Sequence, residues 1–302
     1  MQLANARSGA EWAELARKAE DLGFSTLFVP DHFDDILAPV PALTAAAAAT
    51  TTLKVAPLVL DNDYKHPVVT AKELATIDLL SEGRLEEGIG AGWMASDYEQ
   101  SGIPMDDPSV RVDRLEEGIA VIKGLFGEGP FDFDGEFYKI SGLDGRPKPT
   151  QQPRPPFLIG GGRPRMLRLA AREADIVGVN PSIHSGEIDT AAAQDGLAER
   201  IDRKVEWLRE GAGDRFADLE LNAWVPVVEV TEDSAAFAEA AAPLFDTTPA
   251  ELVESPMTMI GAPSEIAERL HQRRERWGYS YHVVQAPNVE ALTPVVAELS
   301  GT

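Results

Sequence analysis

The feature that most restricts this chain is an alternation of short apolar runs with amphipathic helical stretches, sustained from one end to the other. Residues 26–29, 53–60, 85–91, 156–159, 175–179, 219–230 and 281–284 read as strands, being rich in Val, Ile and Leu and bounded by Pro, Gly or Asp. Between and after them, residues 41–50, 67–80, 110–125, 163–173, 191–210, 235–245, 264–277 and 289–299 read as helices. Residues 11–22 give the clearest case. There Trp12, Leu15, Ala16, Ala19 and Leu22 fall on one helical face, and Gly23 follows as a stop. Strand-then-helix order predicts a parallel sheet, because parallel neighbours need a crossover and a helix supplies it. Seven strands are plain, and the eighth is then the first, with Gln2-Leu3-Ala4-Asn5 reading as the end of a truncated strand. The expected fold is α/β, a (β/α)8 TIM barrel forming a single domain over residues 1–302. A small hairpin insertion is expected near residues 130–141, where Phe131 to Tyr138 alternates around Asp134-Gly135.

Bulk properties exclude several classes. The chain has 27 basic and 50 acidic residues, a net charge of −23, which repels nucleic acid and anionic membranes. It has no cysteine, so disulfides, thiolate metal sites and a Cys nucleophile are absent. No apolar run reaches the roughly 20 residues that span a bilayer, and Met1-Gln2-Leu3 lacks a secretory pattern. A cytoplasmic protein acting on a small molecule is expected.

In a barrel of this class, ligands sit at the C-terminal ends of the strands. Those ends carry Asp31-His32-Phe33, Asp61-Asn62-Asp63-Tyr64, Gly90-Ala91-Gly92-Trp93, Gly160-Gly161-Gly162-Arg163, Asn180-Pro181 and Gln285. The triple glycine lies between a strand and a helix. Glycine lets backbone approach a phosphate, and a helix start offers free N–H groups and positive dipole; a tight turn would use the same residues. His32 can polarise or protonate a ring or substrate, the ordinary work of an imidazole; a loop histidine is the plainer alternative. Trp93 either walls a pocket or packs in the core. His66, just before Pro67, reads as local structure. His184, His271 and His282 show no metal spacing, and Asp61-Asn62-Asp63 lacks a calcium-loop pattern, so no metal is expected. Walker, dinucleotide and Gly-x-Ser-x-Gly motifs are missing.

Residues 80–93, Leu-Ser-Glu-Gly-Arg-Leu-Glu-Glu-Gly-Ile-Gly-Ala-Gly-Trp, resemble a segment of the luciferase-like monooxygenase superfamily. The stretches 64–78, 19–24 leading to Asp31-His32, 159–172 and 260–267 resemble it in the same order, over most of residues 1–285. The chain is most similar to the branch that uses the deazaflavin coenzyme F420. That resemblance implies hydride transfer at the deazaflavin C5, with Asp31 at the ring edge and His32 near the reactive face. It also implies a bulge, with a cis peptide at Pro57-Leu58 or Leu58-Val59, behind the ring. Phosphate falls to Gly160, Gly161 and Gly162 with Asn180 and Pro181 nearby. The cofactor-binding set expected on this basis is Asp31, Pro57, Leu58, Val59, Asn62, Gly92, Gly160 to Gly162, Arg163, Asn180 and Pro181, with His32 and Trp93 catalytic. A homodimer is implied by the same resemblance.

The chain also departs from that branch. Its sugar-phosphate dehydrogenases carry a glutamate where Trp93 stands, a tryptophan after the Asp-His pair and lysines for substrate phosphate. No tryptophan follows His32 here, and no lysine follows Asn180 in that segment. A substrate without phosphate is expected. Arg163-Pro164 replaces a further glycine and leaves the phosphate geometry open. The alternatives are an FMN-dependent monooxygenase on the same barrel, a flavin-binding barrel without turnover, and a sugar- or anion-binding protein without redox chemistry.

Overall fold

Strand and helix boundaries follow from local chemistry. Proline opens helices at Pro39, Pro67, Pro108, Pro164 and Pro263, where its missing N–H costs nothing and its φ already suits a helix. The computed structural model describes residues 1–183, 186, 189–285 and 289–301. Residues 184, 185, 187 and 188, His184 among them, lie outside the described residues. Two compact units result, one of residues 3–20 and 25–158, the other of residues 1–2, 21–24 and 159–302. Among the described residues, no helix is long and apolar enough to cross a membrane.

The first unit runs α1 (Gly9–Asp21), β1 (Thr26–Val29), α2 (Pro39–Ala49), β2 (Lys54–Pro57), β3 (Leu60–Asp61), α3 (Pro67–Leu80), β4 (Glu87–Gly90), α4 (Ala95–Ser101), α5 (Pro108–Phe126), β5 (Phe131–Asp134), β6 (Lys139–Leu143) and the start of β7 (Phe157–Gly161). β1 pairs in parallel with β2, Val29 opposite Pro57, and β3 pairs in parallel with β4, Asp61 opposite Gly90. β1 is buried on both faces, which is why it reads as a continuous apolar run. The expected strand over 53–60 is interrupted by a cis peptide at Leu58–Val59. The 94–107 segment, which carries no helical apolar period, contains α4. The hairpin is present as β5 and β6, antiparallel with Asp134 opposite Lys139. Its turn holds four residues rather than two, because the Glu117 carboxylate of α5 accepts the N–H groups of Glu136, Phe137 and Tyr138.

The stretch that most resembles the luciferase-like family is largely a structural lock. Arg84 donates to the carbonyls of Ala47, Thr50, Leu53 and Ser81, satisfying the open end of α2. The fully buried Asp78 accepts from the amides of Thr150 and Gln151 and from the Gln151 side chain. Glu82 and Gly83 turn with positive φ between them.

The second unit completes β7 and continues with α6 (Pro164–Glu173), β8 (Ile176–Val179), α7 (Thr190–Asp195), α8 (Ala198–Ala212), β9 (Glu220–Val225), β10 (Val227–Val230), α9 (Ser234–Ala241), α10 (Pro249–Glu254), β11 (Thr258–Gly261), α11 (Pro263–Trp277), β12 (Tyr279–Val284) and α12 (Thr293–Leu299). β8 and β12 both pair in parallel with β9. Gln2 makes a parallel bridge to Gln285, and its N–H donates to Val284. Three readings are corrected here. The run 219–230 is two strands, since Pro226 lacks the N–H a ladder needs. β10 pairs with β11, a strand the alternation did not single out, around a small cluster of Ala241, Ala242, Leu252 and Ile260. The helix over 191–210 divides at Gly196. At the start of α11, Pro263 takes the first position, and the Ala262 N–H donates to Glu265.

Candidate functional site

In the first unit, β1 ends at Val29 and delivers Asp31 and His32. His32 Nδ1 lies 2.7 Å from Asp97 Oδ2, and Trp93 meets the imidazole edge-on, with ring centroids 5.4 Å apart at 88°. Asp97 is 3% exposed. It also accepts the Phe33 N–H at 3.2 Å and the Tyr64 hydroxyl at 3.0 Å. Buried carboxylates persist where donors surround them, and Asp97 has three. Burial, with the neighbouring Asp61 and Asp97 charges, pushes the Tyr64 phenol well above its ordinary value, so it stays a donor.

A second carboxylate group stands beside the first. Asp31 accepts the Asp61 N–H at 3.1 Å. Burial raises the Asp31 carboxyl, partly opposed by that hydrogen bond and by Lys65 and His32. Asp61 Oδ2 accepts the Tyr98 hydroxyl at 2.8 Å, Asp63 Oδ2 accepts it at 3.1 Å, and Asp61 Oδ1 takes the Asp63 N–H. Burial is the largest influence on Asp61; the two hydrogen bonds resist it, the Asp63 and Asp31 charges add to it, and the carboxyl is pushed up to about 7. Arg114 bridges Asp63 and Asp106, while Arg111 donates to the carbonyls of Ala91 and Gly92. Gly92 has φ +73°, and a Cβ there would overlap the Tyr98 hydroxyl and the Asp61 carboxylate. Gly88 and Gly90 leave room for the bulge: a Cβ at either would collide with Pro57 or Val59. The cis peptide sits at one of the two positions the resemblance implied.

Asn62 was expected to touch a cofactor. It is 4% exposed, its amide donates to the Tyr138 hydroxyl at 3.1 Å, and its side-chain oxygen fills the space left by Gly118. These contacts are packing contacts.

The second unit contributes a site made mainly of backbone. Gly160 and Gly161 end β7, and Gly161 accepts the Asn180 N–H at 3.0 Å. A Cβ on Gly162 would sit 2.6 Å from both the Asn180 carbonyl oxygen and the Ser182 nitrogen. Only glycine passes there without moving backbone. Arg163 donates to the Ser182 hydroxyl at 2.9 Å, and the Ser182 N–H donates to Asp195 at 2.7 Å. Lys204, 2% exposed, donates to the carbonyls of Asn180 and Asp195 and to the Asp195 carboxylate at 2.5 Å. Burial lowers its ammonium, and Asp195 opposes that. A lysine therefore does reach Asn180, from farther along the chain than the sequence reading searched, and it is committed to the scaffold. The Asn180 side-chain oxygen is buried without a hydrogen-bond partner.

The residues missed by sequence reading are Asp97, Tyr98 and Lys204; Tyr64 was placed at a strand end but given no role. A cue was present for Asp97 and Tyr98, adjacent polar and aromatic residues four and five positions past Trp93, but no apolar period marked α4 as a helix.

Comparison with known proteins follows this geometry. The family model described as luciferase-like monooxygenase matches residues 1–212. The FMNH(2)-dependent dimethylsulfone monooxygenase of Pseudomonas putida is 31% identical over 200 residues, covering 62% of this chain and 55% of that protein. The chain spans about half the length of the curated relatives it matches. Among solved structures, the coenzyme F420-dependent tetrahydromethanopterin reductase of Methanopyrus kandleri matches with a TM-score of 0.78 at 21% identity, covering 99% of this chain and 97% of that one. An F420-dependent secondary alcohol dehydrogenase in complex with an F420-acetone adduct matches with a TM-score of 0.75 at 18% identity, covering 99% and 96%. At these identities the structural likeness establishes the fold, the α/β TIM barrel of luciferase-like enzymes.

Proposed function

Because the chain belongs to the luciferase-like monooxygenase family, we propose that it is a coenzyme F420-dependent oxidoreductase acting on a small organic substrate without phosphate. The observation that carries this reading is His32, held at a strand end by the buried Asp97 and edged by Trp93. An imidazole so held can give or take a proton at a substrate oxygen.

The residues fit a polar fused-ring cofactor bearing phosphate. In the first unit, the half-buried Asp31 carboxyl stands where a ring edge can hydrogen-bond, with Pro57, Leu58 and Val59 supporting the ring. In the second, the Gly160 to Gly162 backbone and the α6 N-terminus suit phosphate. Bound against Asp31 and residues 57–59, the deazaflavin would supply a hydride acceptor or donor. His32 would handle the accompanying proton, and Trp93 would present apolar surface to the substrate and keep water out. That apolar wall supports a substrate such as a secondary alcohol or its ketone rather than a sugar phosphate.

The FMN-dependent monooxygenase is the second reading, favoured by the dimethylsulfone monooxygenase relative. Titrating the purified protein with F420 and with FMN, by fluorescence, separates the two. We expect micromolar F420 binding and reduction of its absorbance by one of a panel of short secondary alcohols. Micromolar FMN binding without F420 binding overturns the proposal.

A further inference from the structure

Building on the reading that His32 exchanges a proton with substrate, we propose that Asp97 is a positioning residue that holds His32 by Nδ1 and leaves Nε2 as the reacting nitrogen. The Phe33 backbone N–H can only donate, and it occupies Asp97 Oδ1 at 3.2 Å. The Tyr64 hydroxyl donates to Oδ2 at 3.0 Å. The carboxylate is thus the acceptor of the group, and its third neighbour, His32 Nδ1 at 2.7 Å, must carry the proton. In the neutral imidazole, the lone pair then lies on Nε2. Trp93 packs against the ring edge-on, a second contact that restrains the imidazole. The ionisable groups around His32 are Asp97 from α4, Asp31 from its own strand end and Tyr64 from the turn after β3, with Lys65 and Asp61 beyond Asp31.

Helix α4 is anchored independently of this contact. Tyr98, the next residue, is tied to Asp61 and Asp63. Asp97→Asn should therefore leave the helix in place and change only the hydrogen-bond sense. The Phe33 N–H holds the new side-chain oxygen, which turns the amino group toward His32. That group can only donate, so the imidazole proton moves from Nδ1 to Nε2 and the reacting lone pair is lost.

The test uses the full chain with ¹⁵N-labelled histidine. In the cofactor-free wild type, the ¹⁵N shifts of His32 should report a proton on Nδ1; in Asp97→Asn they should report it on Nε2. With F420 and the alcohol found active, kcat of Asp97→Asn should fall about 10²- to 10⁴-fold, F420 affinity should stay within about threefold, and Asp97→Glu should restore part of kcat. A wild-type His32 protonated on Nε2, or an Asp97→Asn variant with unchanged kcat, overturns the proposal. His32→Ala separates this from the functional reading. Full turnover in that variant sinks the proton-exchange role of His32, whereas the tautomer of the wild type still decides the geometry assigned to Asp97.

Discussion

The two compact units arm their strand ends in opposite ways. In the first, β1, β3 and α4 present side chains: His32 against Asp97, Asp31 against Asp61, Tyr98 between Asp61 and Asp63. In the second, β7 and β8 present glycine and peptide groups, and the buried Lys204 with the half-buried Asp195 holds the loop that closes on Gly162. A side-chain network of this kind can move protons and titrate near neutrality. A backbone cradle binds an anion through fixed dipoles and does not titrate. The contrast teaches where to look for chemistry and where to look for affinity.

Four perturbations would break or sharpen that contrast. His32→Ala should have the largest effect, lowering F420-linked turnover about 10²- to 10⁴-fold with little loss of cofactor binding; steady-state absorbance kinetics measure it. Lys204→Met should instead act on folding. It leaves Asp195 and the Asn180 carbonyl without their cation, and removing one partner of a buried pair costs about 3 kcal/mol or more. Because Asp195 is 30% exposed, about 2–3 kcal/mol is expected in urea unfolding.

Asp61→Asn probes the titrating network. A carboxyl raised to about 7 in the folded state, from its ordinary value of 3.8, binds its proton more tightly folded than unfolded. Its contribution is complete below the unfolded value and is lost as pH rises through about 7. Wild-type stability should therefore fall across that window by at most roughly 1.4 kcal/mol per pH unit, and the variant should flatten the slope. Thermal unfolding at stepped pH reads this. Tyr64→Phe should be mildest, removing one donor from Asp97 at about 1 kcal/mol. Turnover should drop a few-fold with the His32 tautomer unchanged by ¹⁵N shifts.

Much of the fold was legible because it is periodic. The strands at 26–29 and 175–179 and the helix after the first carry their pattern in adjacent residues, and the observed bounds differ by at most two residues. Legibility failed where neighbours give no period. α4 has the sequence Ala-Ser-Asp-Tyr-Glu-Gln-Ser and no apolar stripe. β11, at 258–261, lies among several short helices and shares its unit with a proline-split strand. The most family-like stretch, around Ser81 to Arg84, proved to support the chain rather than the chemistry, because a guanidinium that satisfies four carbonyls is as constrained as any catalytic group.

By itself, the sequence determined the order of strands and helices, the glycines at the end of β7, and the presence of Asp31 and His32 where a strand stops. These are properties of residues and their near neighbours. Only the tertiary structure decided that His32 meets Asp97, 65 positions away, that Lys204 reaches Asn180, and that Asn62 packs against Tyr138. A hydrogen bond needs its partners within about 3 Å, and residues so far apart in sequence reach that distance only after the fold has placed the elements that carry them.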